Sequence, residues 1–296
     1  MSHSSVPLSL QNAYNHDHIS NVWKILTDRE RSRIRAKSLS DSRSYHQEPD
    51  ISPVPHLRAG APQLLSGERP RANATDYYSV AVGRSQENYF CNRYSDILPY
   101  NRTRVDVGGR YFNANWVREL AGGRWTIATQ APLPRTAHEF LSLIAGIHSP
   151  LSPPDGALLE VYAGAYSRAA GALVSITNKD LCGLEANADA DPPIMVNCSA
   201  GVGRTGSFIA LSSLLRSNGL LLPPTSQSEE RDPPHPPALP QSPLGQLPEG
   251  ISWDEVAQEI DSLREQRPGM VERPEQVQLV YEVLIAGFMT QTLYLT

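Results

Sequence analysis

A thiol and a guanidinium, Cys198 and Arg204, stand five small residues apart in the run Ile194-Met-Val-Asn-Cys-Ser-Ala-Gly-Val-Gly-Arg-Thr-Gly-Ser-Phe-Ile-Ala-Leu-Ser-Ser-Leu-Leu215. A free thiol titrates at about 8.5 and is mostly protonated at neutral pH. Converging amides, a helix N-terminus and a nearby cation lower that value by several units, and the thiolate is the nucleophile. The planar arginine fork grips two oxygens of a phosphoryl group and follows them into a transition state. Thr205 adds a hydroxyl for the sulfur or for an attacking water. The chemistry suited to these types at this spacing is phosphoryl transfer through Cys198, with Arg204 and Thr205 as its catalytic partners.

Such a site needs a strand, a loop and a helix. Ile194, Met195 and Val196 form a short apolar run, and Gly206 opens a segment in which Phe208, Leu211 and Leu215 recur at helical spacing. Between them, backbone N–H groups and the positive end of a helix dipole converge where an anion would sit. The phosphate contacts expected are therefore Ser199, Ala200, Gly201, Val202, Gly203 and Arg204. Gly201-Val-Gly-Arg-Thr-Gly206 also fits the dinucleotide fingerprint G-x-G-x-x-G. That fingerprint needs an acidic residue at the end of a second strand about 20 positions on, and here this position falls in the Ser, Pro and Glu segment of 225–230.

The chain has 296 residues, 40% of them apolar, and 25 prolines, so part of it is expected outside the core. A net charge of -5 argues against a nucleic-acid surface or a polybasic membrane surface, so any phosphate site must be locally positive. The 3 cysteines, Cys91, Cys182 and Cys198, have no C-x-x-C spacing and form neither a disulfide framework nor a metal cluster. The N-terminus lacks a basic region followed by an apolar one, and no apolar run reaches spanning length. The expectation is a cytoplasmic protein in a reducing compartment, without metal or cofactor.

The nine residues Cys198-Ser-Ala-Gly-Val-Gly-Arg-Thr-Gly206 resemble the signature of the cysteine-dependent protein tyrosine phosphatases, of the non-receptor, tyrosine-specific type. The resemblance implies an α/β fold with a central mixed twisted sheet flanked by helices. It also implies hydrolysis of phosphotyrosine on proteins through a cysteinyl-phosphate, with phosphotyrosine proteins as partners. Asn92-Arg-Tyr94-Ser-Asp96 is similar to the family loop whose tyrosine walls the slot for the substrate ring and whose aspartate holds the substrate backbone, which makes Tyr94 and Asp96 substrate contacts. Tyr111-Phe-Asn-Ala-Asn-Trp116 and Trp125-Thr-Ile-Ala-Thr-Gln-Ala-Pro132 resemble two further family segments and read as strands. Gln276, in Pro268-Gly-Met-Val-Glu-Arg-Pro-Glu-Gln276, fits the second of two family glutamines that position the hydrolytic water.

Five departures stand against this likeness, the first of them Phe112 in Tyr111-Phe-Asn-Ala. The stretch from Gln130 to Cys198 is much shorter than in the family and lacks its Trp-Pro-Asp loop; Pro153-Pro-Asp155-Gly is a partial echo. Ala131 stands where the family prefers glycine. Asn197 stands where it usually has histidine, which should leave the Cys198 pKa higher than is typical. Glu272 occupies the place of the first glutamine, where a carboxylate would repel a phosphodianion. These changes motivate a second reading, a phosphotyrosine-binding pseudophosphatase with impaired turnover.

The phosphatase domain is expected over 76–296, with 220–250 a Pro- and Ser-rich linker insertion whose Pro237-Ala-Leu-Pro240 fits an SH3-type ligand. Residues 1–75 read as a mostly disordered tail dispensable to the fold. Within it, Ser20 to Lys37 is compatible with a helix capped by Ser20 that carries Val22, Trp23, Leu26 and Ile34 on its apolar side. His16 and His18 bracket an aspartate, a pattern that in a tail is usually solvated. Capping boxes at Thr136/Glu139 and Ser252/Glu255 predict two helices, Tyr166 to Thr177 another, and Pro274 starts a last one through Val277, Val280, Tyr281, Leu284 and Phe288.

Overall fold

The computed structural model describes residues 10, 15–46, 77–107, 109–145, 160–163, 174–176, 194–221 and 239–294. Its sheet contains β1 (Ala114–Arg118), β2 (Trp125–Gln130), β3 (Glu160–Ala163), β4 (Val174–Ile176) and β5 (Ile194–Cys198), in the order β1-β2-β5-β3-β4. β5 runs parallel to both its neighbours, while β1 and β4 pair antiparallel at the edges, so the sheet is mixed. Gln130 lies opposite Cys198 in register, and the strands β2 and β5 therefore end together beneath the loop that follows.

Alternation along the strands covers both faces. Val117, Ala128, Ile194 and Val196 face a core of Ile209, Leu214, Val256, Ile260, Leu263, Val280 and Leu284. Trp116, Ile127 and Met195 point the other way, onto Phe112 and Phe140. The longer helices are α1 (His16–His46), α2 (Ala137–Ala145), α3 (Gly203–Ser217), α4 (Glu255–Gln266) and α5 (Pro274–Tyr294). The fold is thus α/β, with helices packed on a mixed sheet. No described helix is long and apolar enough to cross a membrane.

The N-terminal region departs from the tail reading. α1 starts before Ser20, and its cap is Asn15, whose Oδ1 accepts from the N–H groups of Asp17 and His18 at 3.0 and 3.3 Å. Ile19, Val22 and Leu26 are buried in the main core, whereas Ile34 is half-exposed. Arg33, fully buried, donates to Asp261 (2.5 Å), Glu265 (2.6 Å) and Glu30 (3.2 Å), and Arg29 reaches Asp261 at 2.9 Å. His18 is packed, with Nε2 2.7 Å from Asp254 and its ring stacked on Trp253. α1 therefore belongs to the domain, because apolar residues and a paired buried charge both need the partner surface that α4 supplies.

Other elements differ locally. The 220–250 insertion is docked over its last part: Arg29 donates to the carbonyls of Leu244, Gly245 and Gln246, and Tyr77 to that of Pro240. Pro237 and Ala238 of the SH3-type motif lie outside the described residues. Val174–Ile176 is a strand, not helix; the remainder of 166–177, and Asp155, lie outside the described residues too. The α4 cap is Asp254, whose carboxylate accepts from Ala257 N–H at 2.9 Å, and Ser252 bonds to Glu249 instead. The Thr136 hydroxyl turns to Leu133 while Glu139 pairs with Arg110 at 3.0 Å. In α5 the five core residues expected are all buried.

α3 buries a different side from the one its large residues suggest. Phe208 is exposed, Leu211 and Leu215 are partly buried, and Gly206, Ile209, Ala210, Ser213 and Leu214 face inward. The reason is close approach: a Cβ on Gly206 would lie 2.4 Å from Val271 N. Only glycine lets the start of α3 rest on that backbone.

Candidate active site

Cys198 ends β5, the loop 199–202 follows, and Gly203, Arg204 and Thr205 form the first turn of α3. The direction of the loop is fixed from behind. Ser199 O accepts from Ala131 N–H at 3.0 Å, and Val202 O from Gly206 and Val271 N–H at 2.8 and 3.2 Å. Ala200 O and Gly201 O accept from Arg267 at 3.0 and 2.8 Å. With these four carbonyls drawn to the back, the amides of the loop are left to the front, where the Gly201 N–H donates to Cys198 Sγ at 3.2 Å. Gly201 has φ +73°, and a Cβ there would meet Thr129 O at 2.1 Å, so the loop can lie this low on the strand only with glycine.

Nothing in the sequence singles out Arg267. It is fully buried, and besides the loop it grips Asn115 Oδ1 at 2.8 Å and Asn113 Oδ1 at 3.0 Å. No carboxylate is among its described partners. Burial lowers its pKa to about 10, against opposing contributions from Tyr111 and the Cys198 thiolate, so it stays cationic at neutral pH beneath the loop. In the sequence it reads as an ordinary basic residue at a helix end. Its partners, Asn113 and Asn115, sit in the strand segment that carries part of the resemblance.

Burial pushes the Cys198 thiol up, but the Thr205 hydroxyl and the backbone N–H groups of Thr205, Gly201 and Val202 outweigh it and hold the group below its ordinary value. Thr205 Oγ1 is buried and makes no hydrogen bond of ordinary geometry among the described residues, so its hydroxyl is available to the sulfur. Asn197 is buried beside it with Oδ1 unpartnered among the described residues. Arg204 is exposed in the first turn of α3.

Tyr94 comes to the site: its hydroxyl is 2.8 Å from Ser199 Oγ, with the ring exposed. Its loop is carried by Gln130, which accepts from Arg93 N–H at 2.8 Å and donates to Cys91 O at 2.8 Å. Asp96 lies farther out, its backbone carbonyl taking a hydrogen bond from Lys37 of α1 at 3.1 Å. It shares a groove of about 390 Å³ with Trp23, Ile34, Val202 and Glu272. Gln276 rests on the loop, with Nε2 2.8 Å from where a Cβ of Gly203 would stand, and Glu272 Oε2 is 3.2 Å from the same point. The structure therefore gathers Cys198, Ser199, Ala200, Gly201, Val202, Gly203, Thr205, Tyr94 and Gln276 in one place, leaving Asp96 at the rim. Among the described residues no group of His, Cys, Asp and Glu is placed to hold a metal ion.

Residues 88–150 and 172–218 match the family model for protein-tyrosine phosphatase. The mouse tyrosine-protein phosphatase non-receptor type 20 is 25% identical over 263 residues, covering 69% of this chain and 55% of that protein. The human non-receptor type 18 enzyme is 40% identical over 73 residues, 22% of this chain and 16% of that protein. The chain thus spans about half the length of the first of these relatives and much less of the second. Among solved structures, the catalytic domain of human protein tyrosine phosphatase non-receptor type 18 aligns at a TM-score of 0.46 and 20% identity, over 71% of this chain and 88% of that one.

Proposed function

We propose that the chain, whose residues 88–150 and 172–218 match the protein-tyrosine phosphatase family model, hydrolyses phosphotyrosine on proteins through a cysteinyl-phosphate. The observation that carries this reading is the backward capture of the carbonyls of 199–202, which leaves N–H groups around a thiol held below its ordinary pKa. In the first half-reaction Cys198 Sγ attacks phosphorus, the phosphorus–oxygen bond to the ring breaks, and the phenol leaves. The loop amides hold the phosphoryl oxygens as charge develops, joined by the Arg204 fork. Water then releases phosphate and restores the thiolate. Tyr94 supports aryl over seryl substrates, because a wall beside a deep anion site favours a long flat group. A thiolate nucleophile suits the reducing cytoplasm, and a role in signalling follows from the substrate class.

One observation favours a second reading, a phosphotyrosine-binding protein with impaired turnover: Glu272 sets a carboxylate over Gly203, where it repels an incoming dianion. Both readings are tested by Cys198→Ser and Arg204→Lys. The serine variant should lose hydrolysis and keep phosphotyrosine-peptide binding, measured by calorimetry. The lysine variant should lose both, because a point charge does not replace a fork. Wild-type protein that binds peptide but never releases phosphate would establish the second reading, and full activity in Cys198→Ser would remove the first.

A further inference from the structure

Two side chains, Glu272 and Gln276, overhang the phosphate loop at Gly203, and only one of them is able to take a proton. We propose that Glu272 is the general base of the second half-reaction, accepting a proton from the water that attacks the phosphoryl group on Cys198; this rests on the phosphatase reading above. Gln276 Oε1 is committed to Arg273 N–H at 3.1 Å, which turns its Nε2 donor toward Gly203. Gln276 Oε1 and Glu272 Oε2 are each 3.2 Å from that point, and of these two oxygens only the carboxylate's takes up a proton. A water lodged between the two accepts from Gln276 and donates to Glu272, the arrangement needed for it to attack phosphorus with a lone pair.

The backbone is strained to bring Glu272 there. The residue before it, Val271, has φ +56° and is the one non-glycine residue of positive φ among those described. For a β-branched residue this conformation costs about 1–3 kcal/mol and persists only where its surroundings over-determine it. The surroundings do so: Val271 N–H donates to Val202 O of the phosphate loop at 3.2 Å, Val271 O accepts from buried Arg264 at 2.7 Å, and Gly206 leaves the space in which its nitrogen lies. Clamped to the phosphate loop on one side and to Arg264 on the other, the chain turns so that residue 272 emerges over Gly203. Glu272 is exposed and makes no ion pair among the described residues, so the clamp is not explained by a structural bond of its own carboxylate.

The step balances within the groups named. The water oxygen bonds to phosphorus, one water proton passes to Glu272 Oε2, and the phosphorus–sulfur bond breaks. Its electron pair returns to Cys198 Sγ, where the Gly201, Val202 and Thr205 N–H groups hold the thiolate. Glu272 then gives its proton to solvent. The same carboxylate should weaken binding of the incoming dianion, which predicts opposite effects on the two kinetic constants.

The test is rapid-mixing kinetics of the full chain with p-nitrophenyl phosphate, whose activated leaving group keeps the first half-reaction fast. The wild type should show a burst of nitrophenol equal to the enzyme concentration. Glu272→Gln should keep that burst and its rate, lower kcat about 100-fold, lower KM, and accumulate phosphate on Cys198 detectable by mass spectrometry after acid quench. Glu272→Asp should recover part of the rate. A Glu272→Gln enzyme that turns over as fast as the wild type, or faster, overturns the proposal while leaving the phosphatase reading in place. Absence of any phosphocysteine in the wild type overturns both. Because Glu272 is exposed, neither variant threatens the fold.

Discussion

Arg33 and Arg267 are both fully buried, yet they do opposite things with their charge. Arg33 sits at the seam of α1 and α4 among Asp261, Glu265 and Glu30. Burial alone would lower its pKa, and those carboxylates together raise it well above the ordinary range, so its charge is neutralised where it stands. Asp261 is held low in return: burial pushes it up, but Arg33 and Arg29 prevail. Among the described residues Arg267 has only neutral acceptors, two loop carbonyls and two asparagine oxygens. Its field is not cancelled locally, and it lies beneath the loop that must receive an anion. A buried guanidinium surrounded by carboxylates is a fastener. Surrounded by carbonyls, it is a fastener that also polarises a site on an acidic chain.

The largest effect should come from removing the fastener side of this contrast altogether. A chain beginning at Arg71 loses the burial of Ile19, Val22 and Leu26, at about 1.5–3 kcal/mol each, and leaves Asp261 and Glu265 without their cations. The sum is comparable to the whole stability of a typical domain. Chemical denaturation should show no cooperative transition, and a midpoint equal to that of the full chain would mean the α1 seam contributes nothing.

Arg267→Met should come next. It leaves Ala200 O, Gly201 O and both asparagine oxygens without a donor, at about 1–3 kcal/mol for each that stays buried. The amides of the loop then lose their aim, so kcat/KM on an aryl phosphate should fall about 100-fold or more even below the unfolding midpoint. Stability lost with kcat/KM intact would reduce Arg267 to a fastener like Arg33.

The difference between these arginines also decides what was legible in the sequence. Cys198, Arg204 and the glycines between them are chain neighbours, so their spacing states their geometry. Asn92-Arg-Tyr94 was legible for the same reason, as a short contiguous loop whose tyrosine reaches Ser199. Arg267 was not, because its four acceptors come from residues 113, 115, 200 and 201, and nothing local distinguishes it from a solvated helix-end cation. α1 was only half legible. Its apolar stripe was visible through Val22 and Leu26, but Arg29 and Arg33 look like solvent-facing charges until Asp261 is seen opposite them. In α3 the spacing of Phe208, Leu211 and Leu215 was truly helical, and Leu211 and Leu215 pack on the edge of the core while Phe208 is exposed. The helix must approach the Val271 backbone through its small residues, a constraint that lies in the tertiary contact and not in periodicity.

Glu259 mirrors Arg267 with the sign reversed, and it sharpens the comparison with the smallest expected effect. It is fully buried, with Oε1 and Oε2 accepting from Leu120 and Ala121 N–H at 3.1 and 3.0 Å and no cation among its described partners. Burial pushes its pKa up to about 7, opposed by those two N–H groups and Ser213 and aided by the neighbouring Glu119. Both uncompensated charges shift toward neutrality, but Arg267 stops at about 10, beyond the working range, while Glu259 titrates within it. In the unfolded chain Glu259 ionises near its ordinary 4.5, whereas the folded chain holds its proton up to about 7. Between those values the folded state binds more protons, so raising the pH costs it stability; the loss is absent below 4.5, grows across the window, and is complete above about 7. At about 1.4 kcal/mol per pH unit the loss amounts to ~3 kcal/mol at most. Glu259→Gln, which keeps an acceptor for the two N–H groups and cannot ionise, should flatten that decline when urea midpoints are followed from pH 4.5 to 8. If the decline persists unchanged in the variant, Glu259 is already ionised in the folded protein across that range, and a buried carboxylate held only by neutral donors keeps its charge here as well as Arg267 does.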